Sequence, residues 1–264
     1  MGSNSKIEWT QATWNPITGC SKVSEGCANC YAKRMAKRLA GRFGYPKDDP
    51  FRVTLHPDRL DQPFGWKKPK VIFVCSMGDL FHEDLRLGLV EWERVFQIYD
   101  IMMRTDWHTY LVLTKRPENA RYFYREWIRP HDKIGHIWVG VTAENQKRAD
   151  ERIPILLQIP AAIRFVSLEP LLSEIDLDGY LADHEWEHGV PGGINWVIVG
   201  GESGPGARPM AADWVRKIRD DCVQAGVPFF FKQWGGVDKK KAGRLLDGRT
   251  WDEIPGNKEL KGGT

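Results

Sequence analysis

Cysteine is scarce in this chain, and its distribution excludes a disulfide-stabilised scaffold. Only five of the 264 residues are cysteine, and three of the five fall within eleven residues near the amino end. Secreted domains that depend on disulfides carry an even number of cysteines spread along a short sequence. The pattern therefore argues against a secreted framework and favours metal chemistry in a reducing cytoplasm.

Long hydrophobic runs are also missing. No stretch approaches the roughly 18 consecutive apolar residues of a membrane-spanning helix, and no apolar segment precedes the first cysteines as in a signal peptide. We therefore expect a cytoplasmic protein with no membrane partner. The formal net charge is only +3, so total charge does not identify a partner. The sequence shows no convincing Ser-His-Asp triad or pair of catalytic carboxylates.

What the chain does contain is a regular alternation of apolar strands and amphipathic helices. The pattern predicts strands at 71–75, 110–114, 137–141, 163–167, 196–199 and 228–234 after a weak first strand at 6–10, and helices at 31–42, 87–104, 118–128, 146–157 and 212–225. Such alternation is typical of a parallel sheet with helices outside it. We predict an α/β fold, a partial (β/α)6-type TIM-like barrel with mostly parallel strands.

The same pattern predicts one domain over residues 1–264. Two irregular stretches, 44–69 and 173–193, are interpreted as insertions at the rim of the barrel. Residues 235–264 are interpreted as a basic C-terminal extension that folds back on the domain.

Polar residues follow several predicted strands at the point where each strand ends. They are Ser76, Gly78 and Asp79; Lys115 and Arg116; Thr142, Glu144 and Asn145; and Gly200, Gly201 and Glu202. Ligand sites of α/β folds gather at the carboxyl ends of parallel strands. Two structural alternatives stay open: the glycines could form plain tight turns, and Glu144-Asn145 could cap a helix.

The three clustered cysteines form the strongest motif. Cys20, Cys27 and Cys30 have the spacing C-x6-C-x2-C in a loop rich in glycine, serine and asparagine. Three thiolates on such a loop suit an iron–sulfur cluster or a zinc ion. The next candidate ligands, His56 and Cys75, are far along the chain, which favours a reactive centre with one open position. A zinc site with a remote fourth ligand remains the alternative.

With three cysteines after a first strand and before a helix, the chain resembles the radical S-adenosylmethionine (SAM) superfamily. The family's usual spacing is C-x3-C-x2-C, so only the second gap matches. The resemblance implies that Cys20, Cys27 and Cys30 hold a [4Fe–4S] cluster whose fourth iron binds SAM. Electron transfer from a low-potential donor would then give a 5′-deoxyadenosyl radical.

The resemblance also implies sites for the rest of SAM. The turn at Ser76, Gly78 and Asp79 corresponds in place to the one that receives the SAM amino group. Gly200, Gly201 and Glu202 would approach the methionine or adenine part, and Thr142, Glu144 and Asn145 would meet the ribose hydroxyls.

Two further residues are similar in position to those of the spore photoproduct lyase family, which repairs thymine dimers in DNA. Tyr31 directly follows the third cysteine, and Cys75 lies downstream at the end of a predicted strand. The likeness implies that Cys75 donates a hydrogen atom to a substrate radical and that Tyr31 relays one. The alternatives are a small buried strand residue and a packing tyrosine. The Trp14-Asn15-Pro16-Ile17-Thr18-Gly19-Cys20 opening also resembles a group of phage-encoded proteins.

Clusters of positive charge make DNA the expected partner. The candidate contacts are Lys33, Arg34, Lys37 and Arg38 on the first predicted helix, Lys115 and Arg116, and Lys239, Lys240 and Lys241. Each cluster could instead be a solvated face. Two other functions stay open: a radical SAM enzyme acting on another nucleic acid or a peptide, and a zinc-bound, non-enzymatic nucleic-acid-binding protein.

Overall fold

The computed structural model describes residues 5, 7–85, 92–132, 134–181 and 192–257. Its strands are β1 Ala12–Trp14, β2 Ile17–Thr18, β3 Thr54–Leu55, β4 Val71–Val74, β5 Thr109–Thr114, β6 Ile137–Thr142, β7 Arg164–Leu168, β8 Trp196–Gly200 and β9 Phe229–Gln233. Its helices are α1 Tyr31–Leu39, α2 Gln62–Gly65, α3 Trp92–Arg104, α4 Pro117–Trp127, α5 Gln146–Leu156, α6 Ala212–Ala225 and α7 Lys239–Ala242.

Seven of these strands form one sheet in the order β1-β4-β5-β6-β7-β8-β9. The pairs β1–β4, β4–β5, β7–β8 and β8–β9 are parallel, whereas β2 and β3 form a small antiparallel ribbon. The buried strands are almost entirely apolar, as expected when helices connect and cover parallel strands. The predicted α/β fold of partial-barrel type with mostly parallel strands is confirmed.

The predicted first strand was misplaced. Residues 7–9 form a turn, in which the Thr10 amide donates to the Ile7 carbonyl at 3.1 Å, and the strand begins only at Ala12. The prediction was wrong because Trp9, although apolar and buried, is not in a strand. It packs against Phe73, with ring centroids 4.7 Å apart. Residue 6, residues 87–91 of the helix predicted at 87–104, residues 182–191 of the second insertion and residues 258–264 of the C-terminal extension lie outside the described residues.

The chain forms two compact units, of which the first comprises Met1–Val23 and Cys30–Val139. Its core is aromatic: Phe81, Trp92, Tyr99 and Phe123 are buried, with ring centroids of Tyr99 and Phe123 4.8 Å apart. Such edge and offset contacts add to the burial of large apolar surfaces.

The second unit comprises Ser24–Asn29 and Gly140–Thr264. Phe165, Trp196 and Phe230 are buried side by side across β7, β8 and β9. Beyond β9 the chain returns antiparallel to it, since Phe231 donates its amide to the Trp251 carbonyl at 2.9 Å. The single domain with rim insertions at 44–69 and 173–193 stays a prediction.

Candidate functional site

The motif that precedes Cys20 is built into the first unit by its own side chains. Trp14 is fully buried and donates its indole N–H to the Arg59 carbonyl at 2.7 Å. The Asn15 side-chain oxygen accepts from the Ser76 hydroxyl at 3.2 Å and the Met77 amide at 2.9 Å. Asn15 therefore anchors the start of the cysteine loop to the turn that follows β4, and Trp14 anchors it to the segment that carries Arg59.

Gly19 completes this anchoring through its backbone. It has a φ of +89°, and a Cβ at this position would lie 2.2 Å from the Arg52 carbonyl oxygen. Its amide donates to the Met77 carbonyl at 2.9 Å. Only glycine permits this conformation so close to another backbone, so the chain enters Cys20 on a fixed path.

Next to this path lies a buried histidine, His56, whose Nε2 is 2.8 Å from the Thr18 hydroxyl. Burial, and then the charge of Arg59, lower the pKa of His56 to about 4. In the unfolded chain this imidazole binds a proton near pH 6.5. The contribution of neutral His56 to the free energy of unfolding is therefore fully present above pH 6.5 and is lost as the pH falls toward 4.

We expect the free energy of unfolding to decrease by about 2 kcal/mol from this group between pH 7 and pH 5. The His56→Gln variant keeps a donor toward Thr18 but has no titrating ring, and should show a shallower pH dependence in urea unfolding. Burial also lowers the pKa values of His82 and His108, so both contribute to the pH dependence that remains in this variant. An unchanged slope in His56→Gln would contradict this assignment.

Cys20 lies beside a buried guanidinium. Arg116 Nη1 is 3.4 Å from Cys20 Sγ and 3.3 Å from Asp79, and Nη2 donates to the Ser21 hydroxyl at 2.7 Å. Arg116 also pairs with Glu83. A positive charge favours the thiolate, which is the form that binds metals. Arg116, predicted as a nucleic-acid contact, is only 5% exposed and holds the cysteine loop.

Asp79 organises this cation rather than facing solvent. Its carboxylate accepts from the Thr114 hydroxyl at 2.8 Å and the Lys115 amide at 3.1 Å, in addition to Arg116. Asp79 is 4% exposed. A buried carboxylate with this many donors is well satisfied, so its predicted contact with SAM would need these bonds to be shared.

Cys75 lies at the start of the turn after β4, and the Tyr31 hydroxyl reaches the same turn from α1. Cys75 is 3% exposed, which agrees with the alternative interpretation of a small buried residue. Burial raises the pKa of its thiol to about 12. Its φ of +54° is unusual for a residue other than glycine. The Tyr31 hydroxyl donates to the Ser76 carbonyl, one residue further along. The structure therefore brings the hydroxyl of Tyr31, the first residue of α1, to the turn that contains Cys75.

In the second unit, the segment Ser24–Asn29 carries Cys27 and is held by two buried carboxylates. Glu144 accepts from the Gly26 amide at 3.2 Å, and Glu202 accepts from the Asn29 side chain at 3.0 Å. Arg208 donates to the Glu25 carbonyl at 3.1 Å and pairs with Glu202. These contacts fix the middle of the cysteine loop at the carboxyl ends of β6 and β8.

The two carboxylates were predicted to bind SAM, and both have protein partners. Glu144 is fully buried and forms an ion pair with Arg152 at 2.9 Å. Burial alone would raise the pKa of Glu202, but hydrogen bonds from Arg208 and Asn29 outweigh burial and lower this pKa to about 2. The Asn145 side chain accepts from the Arg148 amide at 3.0 Å and caps α5. The capping alternative for Asn145 is confirmed.

The remaining predicted cofactor contacts are backbone-rich positions. Ser76 and Gly78 lie half-buried in the turn after β4, and Thr142 is buried at the end of β6. Gly200 and Gly201 are buried at the end of β8.

The predicted nucleic-acid contacts divide by exposure. Lys33, Lys37 and Arg38 are exposed on α1, and Arg34 is half-buried there. Lys115 is half-buried after β5, and Lys241 is exposed. The side chains of Lys239 and Lys240 lie outside the described part of the structure. The exposed basic face of α1 is therefore the best-defined cationic surface.

The donor chemistry of the three cysteines fits a metal cluster. Cys20, Cys27 and Cys30 are half-buried thiols that form no disulfide, and cysteine sulfur is a common ligand of iron and zinc. Within the described residues, no group of three or more His, Cys, Asp or Glu side chains is arranged as a ready-made metal site. The case for a cluster thus depends on the donor set and its spacing.

Two sets of residues were not predicted from the sequence. One set positions the cysteine loop, and the other is a polar cluster at the ends of β7 and β9. The former are Ser21, Glu25, Asn29, His82, Glu83, Arg148 and Arg208, and the latter are Glu169, Lys232 and Gln233. Glu169 directly follows the apolar strand β7, and Gln233 is the last residue of β9. Polar residues at the carboxyl ends of strands indicate a site, so these two could have been predicted.

These features define a class: an α/β protein of partial-barrel type with three cysteines on the segment before α1, none of them in a disulfide. The family described as a protein of unknown function (DUF5131) matches residues 4–255, and the chain belongs to this family. No curated protein and no solved structure matches the chain. In the portion that the structure covers, no helix is long and apolar enough to cross a bilayer.

Proposed function

We propose that this protein is a [4Fe–4S] enzyme of the radical SAM type that acts in the cytoplasm on nucleic acid. The observation that carries the proposal is the loop of three cysteines, none of them in a disulfide, between the first strand of a parallel sheet and α1. When bound, the cluster and SAM supply a radical that abstracts hydrogen from an unactivated carbon. The predicted SAM contacts at Ser76, Gly78, Gly200 and Gly201 stay predictions.

The protein's own residues prepare the cysteine ligands. Arg116 keeps a positive charge at Cys20 and anchors Ser21, while Glu144 and Glu202 hold the segment that carries Cys27. Ligands held by packed side chains lose less freedom when a metal binds, which favours loading.

The substrate that we favour is DNA carrying a thymine photoproduct. The exposed basic face of α1 supports binding to phosphates. The Cys75 thiol stays protonated at neutral pH, so its S–H can deliver a hydrogen atom to a carbon radical of the substrate. The sulfur is left as a thiyl radical, and Tyr31, hydrogen-bonded at the same turn, has a phenolic hydrogen atom to return.

Anaerobic turnover with dithionite as reductant tests this function. The reconstituted protein should form 5′-deoxyadenosine, and should convert a dinucleotide spore photoproduct into two thymines. Cys75→Ala should still start the reaction but lose the clean repair product. Cys222→Ala, which removes a buried thiol in α6, is the matched control and should repair normally.

Each rival function predicts a different result. Formation of 5′-deoxyadenosine without repair of the lesion would exclude the photoproduct lyase and leave another nucleic acid or a peptide as substrate. Bound zinc without formation of 5′-deoxyadenosine would favour a non-enzymatic zinc protein.

A further inference from the structure

A β-bulge near the end of β9 aims two successive side chains at one carboxylate. Val199 pairs with Phe231 but Gly200 pairs with Gln233, so Lys232 is the extra residue. Lys232 Nζ lies 2.5 Å from Glu169 Oε1, and Gln233 Nε2 lies 3.4 Å from the same oxygen. In a regular strand consecutive side chains point to opposite faces, and bulges that redirect them are common beside active sites.

Two glycines at the carboxyl end of β8, the last strand residue Gly200 and the following Gly201, make this arrangement possible. A Cβ on Gly201 would lie 2.0 Å from the Trp234 carbonyl oxygen, so only glycine permits the close approach of the bulged chain. A Cβ on Gly200 would lie 3.4 Å from Glu169 and 3.5 Å from Lys232. A longer side chain at Gly200 would therefore project over the ion pair, and glycine leaves that space open.

Hydrogen-bonding capacity at this group is left unused. Gln233 is 3% exposed, and its Oε1 is buried without a partner in the part of the chain described. Among the same residues, both contacts to Glu169 fall on Oε1, which leaves Oε2 as an acceptor, and Lys232 uses one of its three N–H groups. A buried unpaired acceptor is uncommon and calls for a functional reason.

We propose that Glu169, Lys232 and Gln233 form a binding subsite for the lactam or imide edge of a nucleobase. Such an edge has a carbonyl next to an N–H. Lys232 donates to the carbonyl oxygen, and Glu169 or Gln233 accepts from the N–H. The identification of the ligand as a nucleobase rests on the nucleic-acid substrate proposed above.

A neutral edge fits this group better than the amino and carboxylate groups of SAM. Glu169 and Lys232 already neutralise each other, with side chains 21% and 12% exposed. A neutral ligand adds hydrogen bonds without bringing further charge into a partly buried position, which is costly.

Binding of thymidine to the full-length chain tests the subsite without any metal. Ligand-observed NMR titration should show that thymidine binds roughly ten- to a hundredfold more tightly than 3-methylthymidine, which lacks the N3–H. Equal binding of the two nucleosides would overturn the proposal. Binding of methionine at Lys232 that displaces neither nucleoside would overturn it as well.

Variants separate a binding role from a structural one. Gln233→Leu should weaken thymidine binding at least roughly tenfold. The melting temperature should stay nearly level, because removal of the unpaired buried acceptor offsets the loss of the two long hydrogen bonds that Nε2 donates to the Gly201 carbonyl and to Glu169. Lys217→Met, which breaks an ion pair with Asp176 in the same unit, is the control and should bind normally. A lower melting temperature with unchanged binding in Gln233→Leu would overturn the subsite.

The result is independent of the cluster. Thymidine selectivity in a protein that assembles no iron–sulfur cluster would retain the subsite and reject the radical SAM function. Formation of 5′-deoxyadenosine by a protein that does not distinguish the two nucleosides would retain the radical SAM function and reject the subsite.

Discussion

Replacement of Cys30 by alanine is expected to abolish assembly of the iron–sulfur cluster while leaving the fold intact. A cluster held by three thiolates loses one of its ligands. Among the described residues His56 offers no replacement, because it is buried against Thr18. Cys30 directly precedes α1 and is half-buried, so truncation should cost only about 1 kcal/mol of stability. Iron content and the broad visible absorbance after anaerobic reconstitution measure the loss.

The matched control for this variant is Cys222→Ala. It also removes one thiol, but from the buried face of α6 rather than from the loop. It should reconstitute like the wild type. A Cys30→Ala protein that loads as much iron as Cys222→Ala would show that the loop does not bind the cluster.

Replacement of Arg116 by glutamine is expected to cause the largest loss of stability of any change discussed. Arg116 and Asp79 are both almost fully buried and are 3.3 Å apart. Removal of the cation leaves a buried carboxylate without its charge partner, which typically costs about 3–5 kcal/mol. The chain would also lose the contacts that fix Ser21 and Cys20. Urea unfolding of the unloaded protein measures the effect.

Arg125→Gln is the control for charge removal, because Arg125 pairs with Glu126 at an exposed position of α4. Surface pairs contribute about 1 kcal/mol or less. If Arg116→Gln is no less stable than Arg125→Gln, the buried cation does not support the cysteine loop. Arg116→Lys should recover only part of the stability, because an ammonium does not span Asp79, Glu83 and Ser21 as a planar guanidinium does.

The sheet was predictable because its signal is local. Buried parallel strands are continuous apolar runs, and Val71–Val74 or Trp196–Gly200 can be recognised without their neighbours. The short edge strand β1 was misplaced because Trp9 is buried by contact with Phe73 rather than by pairing. A three-residue strand carries too few residues for its alternation to be distinctive.

The supports of the cysteine loop could not be predicted because they are distant in sequence. Arg116 reaches Cys20 across 96 positions, and Gly26 bonds to Glu144 across 118. Polar residues at strand ends indicated the correct region but not which charges would pair with each other. The bulge at Lys232 is a change of register, which hydrophobic periodicity does not encode.

The most direct test of the account is the metal content of the wild-type protein prepared without oxygen and reconstituted with iron and sulfide. We predict about four irons and four sulfides per chain, held by Cys20, Cys27 and Cys30. A protein that binds zinc in their place, or no metal at all, would contradict the central claim.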